Sequence, residues 1–327
     1  MSRRECETHD SSMCMRYMSV TAAMALAALL ASGSGWAQSS SMVTQKYGRA
    51  QIDVDTVRAQ PGGVLAVTVR NARWSTINTL IDGRRASLAL DSGALFGLVP
   101  VALDTLPADH RLSLFFPGGR GRGGSTSFVV PVTPVSRPTR PRVLTPEGLA
   151  TAASQTAVGH ARFLLAAIRT REARTFHSGP LRPPVDGPIG FPFGGLEDYG
   201  VVMGPVKDGL IGEHHRGVDY EVPPGTVVRA PGDGIVLLAR SLVFSGEAVV
   251  IAHGRGLVSV LAHLAHVSVR EGDIVNQGSA VGSSGKTGLG ALFPHVCFSV
   301  YLHSLNVDPE AVMDASLFPP HVTAQKR

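Results

Sequence analysis

Hydrophobic and polar residues alternate along much of this chain, in short runs bounded by glycine, proline and aspartate. In one clear run, Leu65, Val67 and Val69 are separated by smaller or more polar residues. Because successive side chains of a strand point to opposite faces, a period of two is typical of a strand with one buried face. Similar runs lie at 86–90, 112–116 and 128–132. This spacing, without helical periods, predicts a small β-sandwich over residues 50–135.

A second set of strand-like runs follows in the C-terminal part of the chain. These runs lie at 226–229, 234–239, 248–253, 257–261, 274–275, 280–282 and 296–301. No convincing helical period interrupts them, so the sequence predicts a mostly antiparallel β-domain with long loops over residues 185–313. Residues 314–327 are left as a tail. The predicted fold class is therefore mainly β.

Proline and a helix-start pattern mark the segment between the two β-rich parts, residues 136–184. Its prolines predict a semi-stiff linker. Thr145, Pro146 and Glu147 have the form of an N-cap, a proline at the first helical position and an early acid. They predict a helix that runs to about Arg174.

The N-terminus has the pattern of a secretory signal. Arg3 and Arg4 precede an apolar run at 18–31, and small residues lead up to Ala37. A basic start, a short apolar core and a small-residue cleavage site predict that residues 1–37 are removed during export. The apolar run is shorter than the roughly 20 residues that span a bilayer, and no other stretch approaches that length. We therefore predict a periplasmic or secreted protein with no stable membrane span after cleavage.

Composition and charge add further constraints. With 327 residues, 44% of them hydrophobic and 17% charged, the chain is long enough for two domains and is not disordered as a whole. Its formal net charge of +5 suits an anionic cell envelope. Cys6 and Cys14 leave with the signal, so Cys297 is alone in an oxidising compartment. The Ser-rich start of the mature chain predicts a flexible segment over residues 38–49.

Two local patterns superficially suggest nucleic-acid or nucleotide binding. The Gly- and Arg-rich stretch 118–124 lies between two predicted strands of an exported protein, which favours a hairpin tip. The stretch 282–287 ends in Gly-Lys-Thr, but a phosphate-binding loop needs glycine where this chain has Ala280, and no helix follows. We predict no nucleic-acid partner. The sequence also lacks the HExxH pattern of a zinc site on a helix.

Two short stretches carry candidate metal ligands. His215 and Asp219 are four residues apart and flank Gly217, which permits a tight bend. His295 and Cys297 are two apart in a β-branched run, so on a strand both side chains face one way. Imidazole, carboxylate and thiolate are all zinc ligands. The simpler interpretation of the first stretch is a surface turn held by a salt bridge.

Further motifs occur in a fixed order around these stretches. They are Val-Val-Ile-Ala-His-Gly at 249–254, Ala-His-Leu at 262–264, Val-Arg-Glu-Gly-Asp-Ile-Val at 269–275 and Val-Asp-Pro at 307–309. With His-x-Gly-x-Asp before them and Pro-His near the end, the chain resembles the lysostaphin/LytM-type zinc endopeptidases, which cut peptides of bacterial peptidoglycan. The resemblance covers residues 185–313. Residues 62–116 also resemble the immunoglobulin-like module that precedes the peptidase in some members.

The resemblance implies a zinc site and two catalytic histidines. It implies that His215, Asp219 and Cys297 hold the ion, although the family usually has histidine at the third position. It places His263 and His295 beside the metal, with His295 as the base for the attacking water and His263 as a donor to the oxyanion. The simpler interpretation of this pair is two hydrogen-bonded core imidazoles. Four other histidines are given no role in the site: His214, His253, His266 and His303.

Cys297 has three interpretations. As a thiolate it binds zinc and adds a negative charge, which makes the ion a weaker Lewis acid. As a neutral thiol it is a small buried residue in a site that has lost its metal, as in family members that regulate cell-wall amidases. The third interpretation is a redox-sensitive switch.

Two functions from different classes follow from these interpretations. The first is an exported zinc metalloendopeptidase that hydrolyses peptide bonds of peptidoglycan. The alternative is a catalytically degenerate envelope protein that binds peptidoglycan or activates a cell-wall amidase. The presence of both His263 and His295 favours the enzyme, because a binding module has no evident need of the pair.

Overall fold

The computed structural model describes residues 42–318 apart from several short gaps. The gaps are residues 92, 119–122, 142–144, 171, 173, 177–178 and 199–213. The predicted signal peptide, the tip of the Gly- and Arg-rich hairpin and the end of the tail lie outside the described residues. Within the described part of the chain, no helix is both long and apolar enough to cross a membrane.

An eight-stranded antiparallel sheet occupies the first part of the described chain. Its strands are β1 (Met42–Tyr47), β2 (Ala50–Asp55), β3 (Val64–Arg70), β4 (Thr76–Ile81), β5 (Arg84–Asp91), β6 (Ala94–Pro100), β7 (Asp109–Phe116) and β8 (Gly124–Pro131). Their order in the sheet is β1-β2-β3-β6-β5-β4-β7-β8. The prediction of a mainly β, antiparallel fold is confirmed. The immunoglobulin-like character of this part stays a prediction.

The alternation along β3 places its two faces in different cores. Leu65, Val67 and Val69 lie in a core that also takes buried residues from every strand between β2 and β8. Val64 and Ala66, on the opposite face, lie in a second core that is shared with the C-terminal part of the chain. Full burial of a side chain of this size stabilises the fold by roughly 1.5–3 kcal/mol. Burial of β3 on both faces therefore joins the two β-rich parts.

Strand β1 corrects the described part of the predicted flexible segment 38–49, of which residues 38–41 lie outside the described residues. Met42–Tyr47 pairs with β2 along its whole length, and Val43 and Tyr47 pack against the first core. The residues between them, 44–46, are exposed. β1 is an edge strand with exposed polar residues, and these obscure the alternation of hydrophobic and polar positions in the sequence.

The linker is structured over most of its described length. It contains a short strand, β9 (Thr139–Pro141), and two helices, α1 (Pro146–Ala152) and α2 (Gln155–Arg169). The sequence predicts one helix to about Arg174, and the structure corrects this. Ser154 breaks the helix and starts a new one, because its side chain accepts a hydrogen bond from a backbone amide of the next turn.

A ten-stranded sheet forms the C-terminal part. The remaining strands among the described residues are β10 (Ile189–Phe191), β11 (Leu196–Asp198), β12 (Val218–Tyr220), β13 (Val227–Arg229), β14 (Gly234–Leu242), β15 (Gly246–Gly254), β16 (Leu257–Val267), β17 (Ile274–Val275), β18 (Ala280–Ser284), β19 (Val296–Leu302) and β20 (Leu305–Val307). The main path through the sheet is β10-β12-β19-β16-β15-β14-β17. Strand β18 joins β13 to β16, β20 flanks β19, and β11 pairs outside this sheet with β9. Each run predicted from the sequence overlaps one of these strands.

A third helix, α3 (Pro309–Met313), is missing from the sequence prediction. Asp308 caps it by accepting a hydrogen bond from the Glu310 amide, and Pro309 stands at its start. This is the same pattern that predicted the linker helix from Thr145. The sequence therefore carried a local signal for α3.

The two β-rich parts pack against each other. Val64 and Phe96 of the first sheet lie in one buried cluster with Val218 and Phe298 of the second. Phe96 also faces Phe318, with ring centroids 6.0 Å apart. That the two parts are separate domains that fold independently stays a prediction.

Candidate metal centre

Strand pairing brings the predicted ligands together. β12 pairs with β19 so that Asp219 lies directly opposite Cys297. On the other edge of β19, β16 places Ala262 opposite Cys297. His215 lies just before β12, and His295 lies just before β19. The sheet thus unites two motifs whose ligands, His215 and Cys297, are 82 residues apart in the sequence.

Gly217 lets the chain approach β19 closely. A Cβ atom at this position would lie 2.7 Å from both the Phe298 carbonyl oxygen and Ser299 Oγ, and 2.8 Å from Cys297 Sγ. Gly217 lies in a bend, as predicted, but its φ is not positive, so the bend alone does not require glycine. The motif needs glycine for space between β12 and β19.

The side chains of His215, Asp219 and Cys297 form a compact ligand group. Their nearest ligand atoms all lie within 4.8 Å of one another. His215 Nδ1 donates a hydrogen bond to the carbonyl oxygen of Pro192 at 3.1 Å, which leaves Nε2 facing the group. His215 Nε2 lies 3.6 Å from Cys297 Sγ. One nitrogen, one oxygen and one sulfur donor, with the imidazole oriented by a carbonyl, are a donor set that suits zinc.

Asp219 has two buried oxygens that need a partner. Oδ1 lies 2.9 Å from His215 Nε2 and 3.5 Å from His295 Nε2, and Oδ2 lies 2.9 Å from Arg140 Nη1. Neither oxygen makes a well-directed hydrogen bond. A buried carboxylate without one is costly unless another group completes its shell. A metal ion between Asp219, His215 and Cys297 is such a group.

The charges of the ligand group shift its pKa values. Burial alone would raise the pKa of Asp219, but its charged neighbours, first His215 and then Arg140, together hold that pKa well below its usual range. Burial alone would lower the pKa of His215, but Asp219 raises it to about 10. Burial raises the pKa of the Cys297 thiol. Metal binding must therefore displace one proton from His215 and one from Cys297 if both are ligands.

A β-bulge turns His263 towards the site. Leu261 pairs with Val249, but Leu264 pairs with Glu247, so β16 holds one more residue than β15 over this stretch. His263 lies at the extra position with a φ of 64°. A left-handed backbone is unfavourable for a histidine and is found at functional positions. The ring of His263 lies 4.6 Å, centroid to centroid, from that of His295.

Both histidines are oriented by backbone carbonyl groups. His263 Nδ1 donates to the Thr287 carbonyl oxygen at 2.9 Å, and His295 Nδ1 donates to that of Phe293 at 2.7 Å. Burial lowers the pKa of His295, although Asp219 opposes this. A neutral His295 with a proton on Nδ1 has its lone pair on Nε2 and can accept a proton there.

Four histidines that were given no role in the site also lie outside the ligand group. His253 is buried, and its ring nitrogens contact the Asp233 carbonyl oxygen and Ser259 Oγ, both at 2.9 Å. His214 Nδ1 donates to the Gly194 carbonyl oxygen. His266 is exposed and His303 is partly exposed.

Arg140 is a residue of the site that sequence reasoning missed. It lies on β9 in the linker, and its guanidinium reaches the ligand carboxylate of Asp219. No local motif surrounds it. The only sequence feature that singles it out is its position between Pro138 and Pro141, which says nothing about metal binding.

The peptidase class predicted from the motifs is confirmed by a family model. Residues 213–309 match peptidase family M23. They contain all five predicted site residues. This part of the chain is therefore a peptidase M23 domain.

Relatives and a solved structure give the same class. The peptidoglycan DD-endopeptidase ShyA of Vibrio cholerae is 39% identical over 74 residues, which are 23% of this chain and 17% of the relative. The DD-carboxypeptidase/endopeptidase Mpg of Neisseria meningitidis is 36% identical over 98 residues, 30% of this chain and 22% of the relative. The chain thus spans about a fifth of the length of these relatives. A crystal structure from Pseudomonas aeruginosa assigned to peptidase M23 has a TM-score of 0.59 at 26% identity, covering 80% of this chain and 97% of that one.

Proposed function

We propose that this protein is a zinc metalloendopeptidase that hydrolyses peptide bonds of bacterial peptidoglycan. The observation that carries the proposal is the convergence of His215, Asp219 and Cys297 beside the histidine pair, within a peptidase M23 domain. The relative ShyA, which is named a peptidoglycan DD-endopeptidase, supports the substrate class. His215, Asp219 and Cys297 would hold the ion.

The histidine pair supplies the proton transfers. When bound, zinc lowers the pKa of a coordinated water and polarises the scissile carbonyl group. His295 Nε2 accepts the proton of the attacking water, because the Nδ1 proton is committed to the Phe293 carbonyl oxygen. The same nitrogen then returns the proton to the leaving amine.

His263 can donate to the oxyanion only when its ring is positively charged. Its Nδ1 proton is already donated to the Thr287 carbonyl oxygen. A second proton, on Nε2, is therefore required for the predicted role. The ring of His295 packs closely against that of His263, and repulsion between two positive charges disfavours a state in which both rings are charged. The predicted roles therefore require a doubly protonated His263 ring and a neutral His295 ring.

The alternative function is a catalytically degenerate envelope protein that binds peptidoglycan or activates a cell-wall amidase. The observation that favours it is the cysteine at the third ligand position, where the family usually has histidine, because Cys297 can fill that place as a small side chain without binding metal. This alternative predicts a protein without bound zinc.

Zinc content and wall hydrolysis of the purified mature protein distinguish the two functions. We expect near-stoichiometric zinc by atomic emission and release of dye from labelled peptidoglycan. Asp219→Ala is the matched control, because it removes the central ligand and should abolish both signals. Dye release that persists in Asp219→Ala would come from a contaminant, and a wild type without zinc or hydrolysis would reject the enzyme.

Export is a further part of the proposal, since peptidoglycan lies outside the cytoplasm. The support is the basic, apolar and small-residue pattern of residues 1–37. Expressed from the full-length chain, the protein should be found in the envelope fraction with a new N-terminus near Gln38. Edman sequencing of the fractionated protein checks this. A full-length product in the cytoplasm would contradict it.

A further inference from the structure

The linker reaches the metal centre through a short pair of parallel strands, β9 and β11. β9 pairs with β11 so that Arg140 lies opposite Glu197. The neighbouring residue Leu196 forms a bridge with His214, immediately before the ligand His215. The linker is therefore hydrogen-bonded to the segment that leads into the site. All of β9 lies outside the residues that match the family model.

Arg140 is held by contacts on three sides. Its Nη2 lies 2.6 Å from Glu197 Oε1, and its Nη1 lies 2.9 Å from Asp219 Oδ2. Its guanidinium lies over the ring of Phe191, 3.8 Å from the centroid. Only 17% of the Arg140 side chain is exposed. A planar guanidinium suits this arrangement, because it can bind two carboxylates in its plane while its face rests on an aromatic ring.

The two oxygens of Asp219 have different neighbours. Oδ2 faces the guanidinium of Arg140, and Oδ1 faces Nε2 of His215. Rotation of the carboxylate about its Cβ–Cγ bond would exchange these neighbours. The Asp219 carboxylate is buried, with 1% of its side chain exposed, so bulk solvent does not hold it in either orientation. The ion pair with Arg140 supplies the restraint.

We propose that Arg140 is a positioning residue for the metal centre, which orients Asp219 so that Oδ1 is presented to the ion. The inference rests on the proposed zinc site. It makes the linker, and not only the peptidase M23 domain, part of the functional unit. It also explains why a cation is buried beside a metal ligand: the guanidinium neutralises the Asp219 oxygen that the ion does not use.

The same contact could instead be inhibitory, if Arg140 competes with the ion for Asp219. The geometry favours positioning, because Arg140 contacts Oδ2 and leaves Oδ1 to the ligand group. The two roles predict opposite changes in metal affinity when the charge is removed.

Zinc affinity of the full mature chain tests the proposal. Affinity is measured by competition with a chromogenic chelator for the wild type, Arg140→Gln, Arg140→Met and Arg140→Lys. Arg137→Gln is the matched control, because Arg137 lies on the same segment and donates to the Pro61 carbonyl oxygen instead of to a ligand. Circular dichroism of the metal-free proteins monitors folding.

We expect Arg140→Gln and Arg140→Met to weaken zinc binding about 10–100-fold, as is typical when the partner of a metal ligand is removed. Arg140→Lys should recover part of the loss, since it keeps a positive charge without the planar fork. Arg137→Gln should bind zinc as the wild type does. Arg140→Met can keep the packing against Phe191, which guards against misfolding of the glutamine variant.

The possible outcomes separate this proposal from the proposed function. A wild type that binds no zinc rejects both. A zinc-binding wild type with unchanged or tighter binding in Arg140→Gln and Arg140→Met rejects the positioning role alone, and tighter binding supports inhibition. Equal weakening in Arg137→Gln, or failure of both charge-deleting variants to fold, would make Arg140 a general structural residue and overturn the proposal.

Discussion

Replacement of His295 by glutamine should lower the rate of peptidoglycan hydrolysis by a factor of about 10²–10⁴, the usual contribution of a general base. The glutamine side chain has a similar reach, but it cannot accept and return a proton. Bound zinc should stay at the wild-type level, because His295 lies beside the ligand group and not within it. Dye release from labelled peptidoglycan and zinc content, measured on the same preparation, check both statements.

The matched control for this variant is His266→Gln. His266 is exposed on β16, three residues beyond His263, and has no place in the site. It should retain wild-type hydrolysis. Loss of zinc in His295→Gln would show that His295 is itself a ligand, and full activity would remove it from the mechanism.

Much of the ligand group is predictable because each half is local in the sequence. His215 and Asp219 flank the glycine that lets β12 approach β19, and Cys297 lies two residues after His295. Their meeting requires one long-range event, the pairing of β12 with β19. Periodicity predicts β19, but it predicts neither the three-residue strand β12 nor that the two strands are neighbours. The ordered motifs of the peptidase supply that information.

Residues that depend on the path of the chain are not predictable in this way. Arg140 reaches Asp219 only because β9 pairs with β11. His263 faces His295 because of one extra residue in β16, and a bulge of this kind leaves no period to detect. His263 was identified from the family resemblance alone.

Errors in the fold prediction have similar local causes. The polar edge strand β1 resembles a loop in composition, although Val43 and Tyr47 pack inwards. The break between α1 and α2 depends on the side chain of Ser154 as a cap, and serine is common within helices and before them. Strands with one buried face, such as β7, are predicted well, because the buried Leu112, Leu114 and Phe116 alternate with more exposed residues.

The largest change in metal content is expected from Cys297, the residue that departs from the family pattern. Cys297→Ser should lose most of the bound zinc and the hydrolytic activity, because a hydroxyl group is a poor zinc ligand at neutral pH. Cys297→His should restore the usual ligand set and keep or raise hydrolysis. A neutral imidazole in place of a thiolate leaves the ion more electrophilic and its bound water more acidic.

Zinc content and dye release of the wild type and both variants decide whether Cys297 binds zinc. All measurements are made under reductant, which excludes oxidation of the thiol. Cobalt substitution adds direct evidence, since a thiolate ligand gives a sulfur-to-cobalt charge-transfer band that should be present in the wild type and absent in both variants. The short distance from Cys297 Sγ to His215 Nε2, 3.6 Å, makes ligation the expected result despite the raised pKa of the thiol, because a bound metal ion deprotonates a coordinating thiol outright. A wild type that contains no zinc and cuts nothing, with Cys297→Ser indistinguishable from it, would instead favour the binding or activating role. In that case Cys297 is a small side chain that fills the place of a lost ligand.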